Sequence, residues 1–441
     1  MKPFLCVIVK KRKDSFVNVV TSHYSFSDPM KRFHLKMFTR LKKYFTYNYD
    51  RNIVELFKPL YILLSITGLF PYTIEFPKGR HDTRIIRKSL VPHSLGAILF
   101  MAFLSFYFTQ KIHILMNTTA VSSVTNVTNI MEMTVALLCV IVIYFSAFRN
   151  ANAYVQILQN IASCWAEMCH VNVTPILVFL RKLYTYPAIV WVVIFSCVQI
   201  TLCVVGTQKV YNQLIFFTVP DAIPSLIVAF YTSIILLVVC LLKNIEEHCQ
   251  IIVKDKRGRI FATDCSEIYV RTVTSGRSGK DCVRLENLEQ VYVKVLEVKQ
   301  DINNAFQAPI SLIIIQCFHG ILSDAHTLYS QIVVNMRFDA HLLIEQTFLV
   351  LHYLAKIYAL TFTGSMLKDE ASMNSLCFYI YFFQAAKIGR TLHNIPTANQ
   401  DNRLLMEVQH FATLMSFHKP VVTVYDYFSL DATLLFSVSV R

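Results

Sequence analysis

Six long apolar stretches, set off by basic residues, constrain this chain more than any motif. Leu90–Thr109, Ile130–Ala147, Tyr184–Val205, Ile223–Leu242, Ile310–Val334 and Leu342–Phe362 each stay largely apolar. Each runs for about the 20 residues that a helix needs to cross a bilayer. The apolar residues form runs rather than one-sided stripes, as in a polytopic membrane protein and not a soluble bundle. Composition agrees: 54% of residues are hydrophobic and 16% charged, where soluble domains carry about a quarter charged residues. The expected fold is an all-α polytopic membrane protein.

The charges set its orientation. The net charge of +14 would suit a nucleic-acid partner. The basic residues instead flank the apolar runs, where they fix topology, so no nucleic-acid role is expected. Residues 1–50 are basic, with Lys36, Arg40, Lys42 and Lys43 at helical spacing, and Lys78–Lys88 is basic again. Both read as cytosolic. The apolar stretch Leu56–Phe76 lies between them and holds Pro59, Gly68 and Pro71. It therefore does not cross and reads as one interfacial helix. The N-terminus is no cleavable signal, because its basic run Lys10–Lys13 follows the short apolar stretch rather than preceding it.

Continuing in order, the reading divides the chain into five parts. Residues 1–55 form a cytosolic N-terminal segment, and 56–242 hold the interfacial helix and spans one to four. Residues 243–307 form a charged cytosolic loop with a flexible glycine-serine patch at Ser275–Gly279, followed by a helix entering span five. Residues 308–365 carry spans five and six, and 366–441 carry a cytosolic loop and the start of span seven. Within the loop, Leu288, Val291, Val295, Val298 and Ile302 recur at alternating spacings of three and four, which makes a helix with one apolar seam. Two sequons, at Asn117 and Asn126, fall between spans one and two on the side opposite the basic loops and are glycosylation candidates. A third, at Asn172, falls in a cytosolic loop and is expected to stay unused.

Chemistry-bearing motifs are few. The twelve cysteines form no CxxC or zinc spacing. No GxSxG, HExxH or Walker pattern occurs. The expectation is no enzyme, no cofactor and no metal. His319 and His326 are seven apart and share a helix face, but a metal needs more ligands than two.

Polar residues inside a span are functional candidates, because burying them is costly. Span five is rich in them, with Gln316, His319, Ser323, Asp324, His326, Ser330 and Gln331. His319, Asp324 and His326 lie toward its outer half, near Glu345 and Gln346 at the outer start of span six and Gln199 near the outer end of span three. With Tyr231, Tyr329 and Phe348 they are candidates for a small-molecule pocket of apolar walls and a few polar groups. Taken singly, each also fits plain interhelical hydrogen bonding.

Three stretches resemble the insect gustatory receptor family, relatives of the insect olfactory receptors. LFKPLYILLSITGLFP at Leu56–Pro71 is similar to the family's N-terminal apolar segment ending in Gly-Leu-Phe-Pro. LEQVYVKVLEVKQDINNAF at Leu288–Phe306 is similar to the helix entering span five, with Asn303 and Phe306 at its Asn and Phe positions. The stretch from Leu404 to Val438 resembles the C-terminal signature, with Phe428, Leu430, Asp431, Leu434 and Leu435 in the Phe-x-Leu-Asp/Asn-x-x-Leu-Leu pattern. Two departures stand out. Asp426 replaces the usual Gly, and Arg441 precedes the family's Thr-Tyr-x5-Gln-Phe, so the seventh span reads as incomplete.

The resemblance implies a ligand-gated cation channel of four subunits in the plasma membrane, with a cytosolic N-terminus. Its seventh helices would line the pore, and a small-molecule tastant would bind among helices two to six. It also tips the seam at Leu288–Ile302 toward subunit contact rather than packing within its own chain. Two alternatives stand beside this: a non-conducting or regulatory truncated isoform, and a G-protein-coupled receptor. The basic residues at 31–43 and the lack of an Asp/Glu-Arg-Tyr motif after span three weigh against the latter.

Overall fold

The computed structural model describes residues 53–70, 72–76, 86–87, six positions between 96 and 109, 123–168, 219–263, 271–334, 340–367, 402–417, 423–424 and 428–429. Spans one and three and the seventh run lie wholly or mostly outside these residues, as do Gln199, Asn117, Leu430, Asp431, Leu434 and Leu435.

The described chain is helical. A 3-10 turn at Ile53–Phe57 leads into α1 (Lys58–Ile66), and α2 (Ser123–Arg149) is followed by α3 (Ala151–Glu167). Then come α4 (Val219–Thr263), α5 (Arg271–Tyr329, extended by a π turn at Ser330–Val334), α6 (Ala340–Leu367) and α7 (Asn402–Phe417). Two antiparallel ladders of two residues per strand, β1–β2 (Ile74–Glu75, Ile86–Arg87) and β3–β4 (Thr423–Val424, Phe428–Ser429), are the described sheet structure. Phe428 sits in β4.

α1 is nine residues long, about 14 Å of helix, and cannot cross a bilayer. Its end explains the Gly-Leu-Phe-Pro sequence. Gly68 has φ 75°, the left-handed conformation that costs glycine least. The Leu69 N–H then donates to the Leu64 carbonyl at 2.8 Å and the Gly68 N–H to that of Ser65 at 3.2 Å. This is the Schellman pattern, which satisfies carbonyls that the helix end leaves open. Leu69 and Phe70 are turned into the core and fully buried. The segment is pinned by tyrosines: Tyr144 donates to the Thr67 carbonyl at 2.7 Å, and the Ile74 N–H donates to the Tyr61 hydroxyl at 3.1 Å.

Among the described residues, two helices are long and apolar enough to cross a membrane, Asp221–Val253 and Arg284–Tyr329. A third qualifies if Thr134–Arg149 and Ala151–Glu167, bent by 64°, count as one. α6 has the length, but Glu345, Gln346, His352 and Lys356 interrupt its apolar run.

Three expectations need correction. The charged loop at 243–307 is largely helix, since α4 continues to Thr263 and α5 begins at Arg271. Ser275–Gly279 lies inside α5 rather than in a flexible loop. Continuous backbone hydrogen bonding there offsets the roughly 1 kcal/mol that each helical glycine costs. Asn126 falls in the first turns of α2 and not in a loop.

The seam on α5 is internal. Leu288 and Val291 are at most 6% exposed, and Val295, Val298 and Ile302 are fully buried within this one chain. α7 covers part of the seam through Leu404, Val408, Phe411 and Met415, all buried at helical spacing. The Phe411 ring meets Tyr292 edge-on at 5.6 Å, and His410 Nδ1 reaches Glu289 Oε1 at 2.9 Å. The seam thus packs in its own subunit.

The apolar run of α4 meets the length and composition of a span. Every residue from Ser233 to Leu242 is buried by protein. A helix apolar on all sides is covered by either lipid or protein. Here the cover is protein.

Candidate functional site

Asp221, in the first turn of α4, joins that helix to α6. Its two carboxylate oxygens are contacted by His352 Nε2 and Lys356 Nζ. His352 and Lys356 are four residues apart and so project from one face of α6. Their side chains are 4% and 5% exposed, and that of Asp221 16%. Charges this buried persist because they are paired. Lys356 Nζ also lies 5.4 Å from the centre of the Tyr353 ring, a cation–π distance.

This contact ties the start of α4 to the middle of α6. Lys356 is fourteen residues beyond Leu342, about 21 Å along a straight helix.

Above this group, α5 presents its polar residues to α2 and α6. Ser323 Oγ donates to Glu132 Oε2 of α2 at 2.9 Å. Gly320 faces Tyr353 of α6, so closely that a β-carbon there would lie 2.5 Å from the ring. Gln316, Ser323 and Asp324 are buried. Gln316 Oε1, His319 Nε2 and, on α6, Gln346 Oε1 are buried atoms with no hydrogen-bond partner among the described residues. Polar groups buried in a membrane bundle without such partners suit a site that takes polar atoms from elsewhere.

The structure brings some predicted residues together and separates others. His319 and Asp324 on α5 lie on the helix that faces α2 and α6, and Gln346 and Phe348 belong to α6. His326 is half-buried, and Tyr329 is exposed. The side chain of Glu345, and all of Gln199, lie outside the described residues. Tyr231 belongs to a lower layer. Its ring is 5.7 Å from that of Phe306, thirteen residues and about 20 Å before His319 along α5. No group of three or more metal-ligating side chains occurs among the described residues.

Sequence reasoning missed Asp221, His352, Lys356 and Glu132. A signal was present in the i, i+4 pair His352 and Lys356 within an apolar run. Asp221 gave none, because it reads as part of an outer loop.

The lower layer is an aromatic core. Tyr154 of α3, Phe230 of α4 and Phe306 of α5 meet pairwise at 5.0–5.1 Å. Phe70 and Phe57 of the N-terminal segment close on Phe230 at 6.0 and 5.2 Å. Offset and edge-on rings at these distances add about 0.5–1.5 kcal/mol per pair beyond their burial. The polar groups thus stand on a rigid base.

A family model described as "7tm Chemosensory receptor" matches residues 57–440. Two solved structures of the insect olfactory receptor OR5 from Machilis hrabei are similar in fold. The receptor alone superposes with a TM-score of 0.54 and its complex with eugenol with 0.57. Each is 11% identical, with 87% of this chain and 94% of the other covered. No curated protein sequence matches the chain.

Proposed function

Since the chain belongs to the 7tm chemosensory receptor family and is a multi-pass helical membrane protein, we propose that it is a gustatory receptor subunit, a cation channel opened by a small-molecule tastant. The observation that carries this reading is the set of buried polar atoms between α2, α5 and α6, inside an otherwise apolar bundle. The similar fold of an olfactory receptor solved with eugenol adds support for a small ligand. The ligand is taken up among Gln316, His319, Asp324 and Gln346, with Phe348 as apolar wall and Gln199 and Glu345 as further candidates. It stabilises the open state to the extent that it binds that state more tightly than the closed one.

The subunit works in the plasma membrane as a tetramer, alone or with other receptor subunits, with its N-terminus cytosolic. The gustatory branch is supported by Leu56–Pro71, Leu288–Phe306 and the signature from Phe428 to Leu435.

The test is whole-cell recording from cells expressing the chain, challenged with bitter compounds, sugars and carbon dioxide. A cation current evoked by one class, weakened at least tenfold in sensitivity by His319→Ala or Asp324→Asn, is the expected result. Surface-expressed protein without any evoked current, alone or with co-expressed family subunits, would refute the channel. An N-terminal epitope labelled on intact cells would refute the topology.

A further inference from the structure

A break between two helices and a proline inside a third lie beside the same carbonyl group. α2 and α3 meet at 64° across Asn150, and α5 carries Pro309 in its interior. Proline has no N–H, so the carbonyl four residues earlier, that of Ala305, loses its intrahelical donor. Ala305 is 2% exposed, and a carbonyl so buried must find a partner within the protein. It finds one on α2. Asn150 Nδ2 donates to the Ala305 oxygen at 2.9 Å and Ser146 Oγ at 3.4 Å, and the same Asn150 amide reaches Ser146 Oγ at 3.2 Å.

The surroundings differ on the two sides of this point. Toward the cytosol, Tyr154 and Phe306 pack at 5.0 Å within the aromatic core. Further along α5 stand Gln316 and His319, which lack hydrogen-bond partners among the described residues. Asn150 also begins α3, since its own carbonyl accepts the Tyr154 N–H at 3.0 Å. One residue thus holds the start of α3 with its backbone and the proline site of α5 with its side chain.

We infer that Ser146, Asn150 and Pro309 form one hinge, in which the proline site of α5 and the break between α2 and α3 are linked through the Ala305 carbonyl. The polar half of α5 pivots over the aromatic base, and the pivot is passed to α3. Any part the hinge plays in gating rests on the channel reading above, whereas the hinge itself does not.

Hydrogen–deuterium exchange on the purified full-length chain tests the linkage without ligand or current. Asn150→Ala is expected to speed exchange about tenfold in peptides covering 146–156 and 300–312, the loss of one buried hydrogen bond. Pro309→Ala supplies an N–H to Ala305 and is expected to slow exchange at 300–312 about fivefold. In that background Asn150→Ala should change the α5 peptide by less than about twofold. Equal effects of Asn150→Ala with and without Pro309, or none in either, would overturn the hinge. Should Asn150→Ala fail to yield folded protein, Pro309→Ala decides alone, and unchanged exchange at 300–312 overturns the proposal.

Discussion

The backbone of Gly320 and the ring of Tyr353 occupy neighbouring space with no room between them. A β-carbon at residue 320 would lie 2.5 Å from Tyr353 Cε2 and 2.6 Å from Cζ. α5 and α6 can approach this closely because residue 320 has no side chain, as small residues allow in membrane bundles generally. The approach holds Tyr353 against Lys356 and brings the polar faces of both helices together.

Gly320→Ala should therefore cost about 1–3 kcal/mol, the usual penalty for overpacking. Thermal unfolding of the purified protein would show it. Tyr353→Ala in the same chain should recover part of the loss, and a double variant no better than the sum of the singles would place the strain elsewhere.

Asp221→Ala leaves Lys356 buried beside His352 without its carboxylate. Breaking one partner of a buried pair costs about 3–5 kcal/mol, so surface expression should fall sharply. Replacing the pair together, Asp221→Leu with Lys356→Met, should cost clearly less. Equal losses for the single and the pair would mean that the charges do not stabilise one another.

Phe411→Ala should loosen α7 from α5, since Phe411 is fully buried against Tyr292. A cost of about 3–5 kcal/mol is expected for a buried phenylalanine. Faster limited proteolysis within 402–417 would report it. The effect should be as large in dispersed subunits as in any assembly, because the seam is buried within one chain.

Lys294→Ala should do little. Its ion pair with Glu167 is 2.7 Å long, but the side chains are 46% and 39% exposed. Pairs of this kind contribute at most about 1 kcal/mol and are screened by salt. A loss in melting temperature that persists at high ionic strength would contradict this.

How much of this was legible can be judged from particular residues. Gly68 was legible as part of Gly-Leu-Phe-Pro, and its left-handed φ shows why the position suits glycine. The apolar spacing of Leu288 to Ile302 was legible as a helix seam. What covers the seam was not, because periodicity reports that a face is buried and not by what. The polar residues of span five were visible as costly exceptions in an apolar run. Asp221 was invisible, because its contact with Lys356 joins residues 135 positions apart.

The sequence by itself determined that this is a helical membrane protein, that Leu288 to Ile302 form one apolar helix seam, and that the fifth apolar run carries costly polar residues. These follow from local chemistry: apolar length, the helical period and the cost of a polar group in an apolar run. Only the tertiary structure decided that the run of α4 from Ser233 to Leu242 is covered by protein, and that Asn150 answers the Ala305 carbonyl. Hydropathy reads the wish to leave water and is blind to whether lipid or another helix grants it. Cover and partner are relations between distant segments, and packing alone sets them.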